Sequence, residues 1–286
     1  MGDAPRISIV VPAFNEEQYI AACLESLRAQ TSETPYEVIV VDNGSTDATA
    51  AIARSCGATV IVERRRGVCW ARQAGFQSAA GEIVVSADAD TCYPPGWLSR
   101  IERSFERDTE VVAVAGPVRF VNAPAWARVW ARALFGGVHL WARVFGRPPY
   151  ASACNLAIRK TAFDGYNPRL TQGGDELAVL RALRDKGTVV FDPNNRVDTS
   201  SRRVVRGFAY NVVFTFLISY LLEYNLSRLT RRSVFGSYPA FRSNSPRGTR
   251  VLRMLVIVGA LALSLFVLRE PREFYTTAQT LRAAVR

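Results

Sequence analysis

The segment GEIVVSADADTCYPPGWL, residues 81–98, runs a hydrophobic strand directly into two acids. The apolar run reads as a buried strand, and Asp88 and Asp90 follow it with only Ala89 between them. Carboxylates that close repel one another unless something positive sits between them. The stretch therefore predicts a cation at a strand end. A hard divalent ion, magnesium or manganese, suits such a turn. It takes oxygen ligands and is commonly held by one or two carboxylates together with substrate phosphates. The basic chain and its single histidine, His139, argue against zinc. By itself an Asp-x-Asp can be an ordinary solvated acidic turn; the strand end gives it weight.

Outward from this point the chain alternates. ISIVVP (7–12), EVIVVD (37–42), ATVIVE (58–63), EIVVS (82–86) and VVAVAG (111–116) are apolar and rich in β-branched residues. All read as strands, and ISIVVP fits one covered on both faces, as in a parallel sheet. Between them lie helical patterns. Ile20, Cys23, Leu24 and Leu27 repeat at helical spacing, behind Asn15 as a cap and Glu16 and Glu17 at the positive end. ATAAIARSC (48–56) and PPGWLSRIERSFER (94–107) follow the same logic, and GVCWARQAGFQSAAG (67–81) is a helix closed by Gly81. Alternation of this kind implies right-handed βαβ units and a largely parallel sheet. Ligands of such sheets bind beyond the carboxyl ends of the strands. Asp42 and Asp88 stand at two such ends and are expected to face one crevice. Trp70 and Trp97 read as core.

The 286 residues suit one large domain, or one domain with an appendage. The net charge is +11, and all but two of the 36 basic residues are arginines, the exceptions being Lys160 and Lys186. The flat guanidinium fork suits phosphate. Anionic lipid head groups, nucleotide phosphates or nucleic acid are the partners such charge permits, although compositional bias alone gives the same excess. The arginines cluster beside aromatic and apolar runs, not in a nucleic-acid motif, so nucleic acid is not expected as a partner. Five scattered cysteines without CxxC spacing read as reduced thiols in a cytosolic catalytic domain. No long apolar signal region precedes the first strand, and Arg6 stands where a myristoylation site wants Ser or Thr.

The second part of the chain differs. Residues 123–146, APAWARVWARALFGGVHLWARVFG, interleave three of the five tryptophans with arginines. That mix suits a helix or helical hairpin at a membrane interface, or else an aromatic packing helix. His139 reads as a packing or interfacial residue. Two apolar runs follow at about 207–222 and 251–268; the first is short of a comfortable bilayer span of roughly 20 residues, and the second, counted with Val251, Leu252 and a snorkelling Arg253, becomes a credible span. The arginine-rich link between them belongs on the cytoplasmic side. The expectation is an interfacial first helix and an embedded or spanning second one, with two buried soluble helices as the alternative.

Four stretches together carry a resemblance: SIVVPAFNEEQYIAACLESLRAQ (8–30), EVIVVDNGSTDATAAIA (37–53), GVCWARQAGFQSAAGEIVVSADADT (67–91) and GGDELAVLRALRDKG (173–187). In this order they resemble the family 2 glycosyltransferases of the GT-A fold over residues 6–190. The resemblance implies a Rossmann-like, mostly parallel α/β sheet flanked by helices in a catalytic domain over 1–200, and a helical membrane-associated region over 201–286. It also implies a UDP-, GDP- or dTDP-sugar donor. Pro12, Ala13, Phe14, Asn15 and Glu16 would line the base and ribose pocket, and Asp42 would accept from the base. Asp88, with Ala89, would contact ribose or sugar, and Asp90 would ligate magnesium or manganese, with Asp88 beside it. The family usually has Glu then Asp where this chain has Asp175 then Glu176, which leaves the catalytic base open between the two. In TSSRRVVRG (199–207), Arg202 and Arg203 are read as contacts to the donor diphosphate, to a lipid phosphate, or as an interfacial anchor. No Gln-x-x-Arg-Trp motif of processive synthases is present, so single transfers are expected. The acceptor implied is a hydroxyl of a lipid-linked saccharide or other cell-envelope glycan, at the cytoplasmic face of the membrane. The alternatives are a polyprenyl-phosphate acceptor and a nucleotide-sugar-binding protein without turnover.

Overall fold

The computed structural model describes residues 4–168 and 175–207. The two C-terminal apolar runs, beyond Gly207, and the arginine-rich link lie outside the described residues, so the expected membrane-associated region is not part of this description. In chain order the elements are β1 (Ile7–Ala13), α1 (Ile20–Arg28), β2 (Tyr36–Asp42), α2 (Thr49–Ser55), β3 (Thr59–Val62), α3 (Val68–Ser78), β4 (Ile83–Ser86), β5 (Thr91–Cys92) and α4 (Trp97–Arg107). They continue with β6 (Val111–Ala115), β7 (Val118–Val121), α5 (Ala125–Phe145), β8 (Leu156–Arg159), α6 (Asp175–Ala182), β9 (Thr188–Phe191) and β10 (Val197–Ser200).

Seven strands form the main sheet in the order β3-β2-β1-β4-β8-β6-β9. The runs of β1 and β2 are buried, with Ile7, Ile9, Val10 and Val11 all but inaccessible, as are Ile39, Val40 and Val41, whereas β3 lies at the sheet edge and leaves Val62 57% exposed. Covering α4 buries Trp97, Leu98, Ile101 and Phe105 on one stripe. The sheet is mostly parallel, but β8 runs antiparallel to both neighbours, β4 and β6. Its first residue, Leu156, pairs with the last of β4, Ser86. The chain therefore enters β8 from the edge where the parallel strands end. A second, three-stranded sheet, β5-β10-β7, lies beyond that edge.

Three local expectations are corrected. Asn15 does not cap α1. That helix starts at Ile20 after Tyr19, with no side-chain cap, and Asn15 adopts φ 50°, a left-handed conformation asparagine tolerates. The helix α3 ends at Ser78, not Gly81. The Gly81 N–H donates to Ser8 Oγ at 2.8 Å, and a Cβ there would sit 2.8 Å from the Arg6 carbonyl oxygen. Trp70 is not core but half-buried beneath the Arg65 guanidinium, 3.8 Å from the ring centroid. Trp97 is core, at 1% exposure.

The aromatic, arginine-rich stretch is one 21-residue helix, α5, and not a hairpin. Ala127, Ala131, Phe135 and Val138 face inward, and the His139 ring packs 6.3 Å from Phe191. Among the described residues no helix is long and apolar enough to cross a membrane.

The joint between the two sheets is Asn155, 2% exposed and just ahead of β8. Its Oδ1 accepts from Trp97 Nε1 at 2.8 Å, and its Nδ2 donates to the carbonyls of Asn195 (2.7 Å) and Pro117 (3.1 Å). Gly116 passes so close that a Cβ would lie 2.2 Å from the Asn195 oxygen and 2.5 Å from Asn155 Nδ2. Backbone on one side and a saturated amide on the other leave nothing to yield. Gly116→Ala is expected to lower unfolding stability by roughly 1–3 kcal/mol, read as a shift of the urea midpoint.

Candidate active site at the carboxyl edge of the sheet

Strands β2, β1 and β4 are parallel neighbours, so their carboxyl ends share an edge. Asp42 closes β2 opposite Ala13 of β1, and Asp88 comes two residues after β4. Pro12, Ala13, Asp42 and the acidic turn thus stand on one side of the molecule, as the strand pattern predicts. Asp42 is 7% exposed, and its Oδ1 accepts the Ser45 N–H at 3.0 Å. Residues 14–17 are pinned against the loop that starts α2. Asn15 Oδ1 accepts from the Thr46 N–H at 2.7 Å, while the N–H groups of Asn15 and Glu16 donate to Ser45 Oγ and Thr49 Oγ1 at 2.9 and 2.7 Å. The Phe14 ring lies 3.8 Å under the Arg66 guanidinium. A pocket wall is therefore held by its own hydrogen bonds before any ligand arrives.

The acidic turn is held at every residue. The Asp88 N–H donates to Tyr93 Oη at 2.9 Å, and that hydroxyl donates to the Cys154 carbonyl at 3.2 Å. Ala89 is buried. The Asp90 carbonyl accepts the Ser200 N–H at 3.0 Å, so the small sheet clamps the turn. Burial pushes the Tyr93 phenol and the Cys23 and Cys154 thiols up, which keeps them neutral around these carboxylates.

The positive charge demanded by the sequence comes from two arginines. Arg72 of α3, 5% exposed, places Nη2 3.0 Å from Asp88 Oδ1. Arg202, in the 3-10 turn Ser201–Arg206, places Nη2 2.9 Å from Asp90 Oδ2. The same guanidinium forks onto Glu16, with both nitrogens 2.7 Å from its two oxygens. It also lies 5.0 Å from the Tyr19 ring centroid. Burial alone would lower the Arg202 pKa; hydrogen bonding to Glu16 and the charge of Asp90 outweigh it and hold the group above ordinary arginine. The sequence left Arg202 open between a diphosphate, a lipid phosphate and an interfacial anchor; in the structure it rests on the carboxylates of Glu16 and Asp90. Arg203 follows it in the same turn. Arg72 was not anticipated, although its signal was available: Cys69, Arg72 and Phe76 share one buried helical stripe.

Asp175 opens α6 as expected. Glu176 Oε1 accepts the Ala153 N–H at 3.3 Å, which sets the start of α6 beside the entry to β8, at the same edge. Around Asp88 and Asp90 the added donors are the hydroxyls of Thr91 and Thr199, 2.9 Å apart, with Thr199 Oγ1 3.5 Å from Asp90 Oδ1. Oxygen ligands of this kind suit magnesium or manganese by type, while Asp88 Oδ1 and Asp90 Oδ2 are each engaged by an arginine. Among the described residues no group of three His, Cys, Asp or Glu forms a metal cage. An ion completed by phosphates needs only one or two carboxylates.

Comparison with known proteins agrees with this architecture. Part of the chain is 34% identical over 132 residues to the undecaprenyl-phosphate 4-deoxy-4-formamido-L-arabinose transferase of Serratia proteamaculans, covering 43% of this chain and 40% of that protein. It is 29% identical over 181 residues to glycosyltransferase AglE of Haloferax volcanii, covering 60% and 59%. The chain thus spans about 40–60% of the length of these relatives. Among solved structures, the mannosyltransferase PcManGT of Pyrobaculum calidifontis, in complex with GDP-Man and Mn2+, superposes with a TM-score of 0.59 at 20% identity, over 99% of this chain and 81% of that one. TarS 1-349 of S. aureus gives 0.57 at 20% identity, over 75% and 67%. The α/β sheet with its helices is that of the GT-A fold. The family model for glycosyl transferase family 2 matches residues 8–166, more than half of the chain, and with the strand-end acids in their places the chain belongs to that family.

Proposed function

We propose that this chain transfers a sugar, with inversion, from a nucleoside-diphosphate sugar to a hydroxyl of a lipid-linked saccharide or another cell-envelope glycan. The observation that carries the reading is the alignment of Pro12–Glu16, Asp42 and the Asp88–Asp90 turn along one sheet edge, the place where open α/β sheets bind ligands. In this reading Asp42 accepts a base N–H, Asp88 holds ribose or sugar, and Asp90 with Asp88 holds magnesium or manganese. A bound ion supplies neutralisation of the charge that develops on the departing nucleoside diphosphate. Arg202 and Arg203 add further positive charge for that group. Glu176 or Asp175 takes the acceptor proton. The acceptor oxygen then bonds to the anomeric carbon while the bond to the diphosphate breaks, its electron pair leaving on the phosphate oxygen.

A second reading has support of its own. Relatives of this chain are named undecaprenyl-phosphate transferases, and a phosphate acceptor is already ionised near neutral pH. It needs no strong base. Turnover by the Asp175→Ala/Glu176→Ala double variant separates the readings. A loss of roughly 100-fold or more indicates a hydroxyl acceptor, and a loss within about 10-fold a phosphate. In either case Asp90→Asn is expected to cut manganese-dependent release of nucleoside diphosphate by roughly 100-fold or more, since it removes the charge that holds the ion.

Location at the cytoplasmic face of a membrane is part of the proposal. On the outward side of α5, Leu140, Trp141, Val144 and Phe145 are 43–63% exposed, flanked by the exposed Arg143 and Arg147. Apolar wedge beside basic rim is the composition of helices that lie in anionic bilayer surfaces. Leu140→Glu/Val144→Glu is expected to weaken sedimentation with phosphatidylglycerol vesicles by about tenfold or more while leaving the melting temperature within a few degrees. Equal sedimentation of variant and parent would remove α5 as the membrane contact.

A further inference from the structure

The position of Arg202 conflicts with the position of a divalent ion. Its Nη2 lies between two carboxylates, 2.9 Å from Asp90 Oδ2 and 2.7 Å from Glu16 Oε1, while Nη1 holds Glu16 Oε2 at 2.7 Å. A magnesium or manganese ion on Asp90 sits about 2.0–2.1 Å from its oxygen. A guanidinium and a dication sharing that one oxygen would be like charges a few ångströms apart, in a pocket where screening is weak. Glu16 and Asp90 are also nearly buried, with side-chain exposures of 10% and 7%. Both carboxylates share the one guanidinium, so withdrawing its charge would leave two poorly solvated anions with less compensation.

We propose that Arg202 is the resident counter-ion of Asp90 and that Glu16 is its docking place, so that a divalent ion gains Asp90 only when Arg202 leaves it. This rests on the reading that Asp90 holds the ion. A nucleoside diphosphate gives the guanidinium a new bidentate partner of the kind it binds best. The ion and the nucleotide therefore enter together. Either alone must displace an intact ion pair, whereas jointly the ion takes Asp90 and the phosphates receive Arg202. The side chain is well placed for the exchange. It stems from the turn directly after β10, whose Thr199 faces Asp90. Glu16 acquires a role distinct from lining a base pocket: it sets how firmly the site resists metal in the absence of donor.

The test is manganese binding to the full chain without donor, measured by electron paramagnetic resonance of the free ion. The proteins are the parent, Arg202→Gln, Arg202→Lys and Asp90→Asn. The parent is expected to bind manganese weakly and to tighten at least tenfold when UDP or GDP is added. Arg202→Gln is expected to bind manganese alone about tenfold tighter than the parent, and to gain far less from the nucleotide. Arg202→Lys keeps a charge but cannot fork onto Glu16, and is expected to fall between. Melting provides a second readout. Arg202→Gln should melt below the parent without metal and be raised by manganese by more degrees than the parent is, since an ion that binds only the folded state stabilises it in proportion to its affinity. If both Arg202 variants bind manganese no more tightly than the parent, or if manganese raises their melting temperatures no more than the parent's, the proposal is overturned. Asp90→Asn separates the two ideas. Should it bind manganese as the parent does, the metal reading itself has failed; should it lose binding while the Arg202 variants stay at parent affinity, only the counter-ion role has.

Discussion

Two aspartates one residue apart, partly buried at a strand end, make a demand for positive charge that the remainder of this structure is arranged to meet. Like charges so near in sequence, at a partly desolvated strand end, repel unless compensated. The chain does not leave that repulsion to solvent. It brings Arg72 from a helix 16 residues upstream and Arg202 from beyond the last strand. Each aspartate has its own guanidinium, and Glu16, 186 residues from Arg202, joins the second pair. The first turn of the chain and the last described turn are tied together by one planar cation.

The small sheet β5-β10-β7 is what delivers that cation. Thr199 pairs with Thr91 across the antiparallel ladder, and their hydroxyls are 2.9 Å apart. This register brings Ser200 N–H to the Asp90 carbonyl and leaves the following turn, with Arg202, over the acids. Asn155 then braces the loop before β10 against Trp97 and the end of β6. The electrostatic requirement and the backbone ladder thus point the same way, and the acidic turn is rigid because strands, not loops alone, flank it.

Much of this was legible in the sequence, and the reasons for the exceptions are physical. Strands β1–β4 and β6 and their helices were readable because β-branched apolar runs and helical stripes are local signals. Asp42, Asp88 and Asp90 followed, since their strand ends could be counted. β5, β7 and β10 were not readable: they are two to four residues long, and a segment such as Val197–Ser200 alternates without an apolar run. The reversed β8 was also missed, because strand direction depends on where the chain re-enters the sheet and no short stretch encodes that. Asn15 misleads as a cap because caps and left-handed turns favour the same residue. Arg72 left a trace, an arginine on a buried stripe. The partner of Arg202 left none, because it is joined through space across nearly the whole described chain.

The reversed strand also bears on how such a molecule is made. β8 fills the gap between β4 and β6, yet it emerges from the ribosome more than forty residues after β6, with all of α5 intervening. Until it arrives, β4 has one open flank and β6 has no sheet to join. Two apolar strands with unpaired backbone then wait in a half-built molecule, the circumstance in which nascent chains pair wrongly. Closure of the sheet is a late, long-range event with a large loop to gather. A protein built this way is exposed to misassembly during its synthesis, whatever the strength of its finished core.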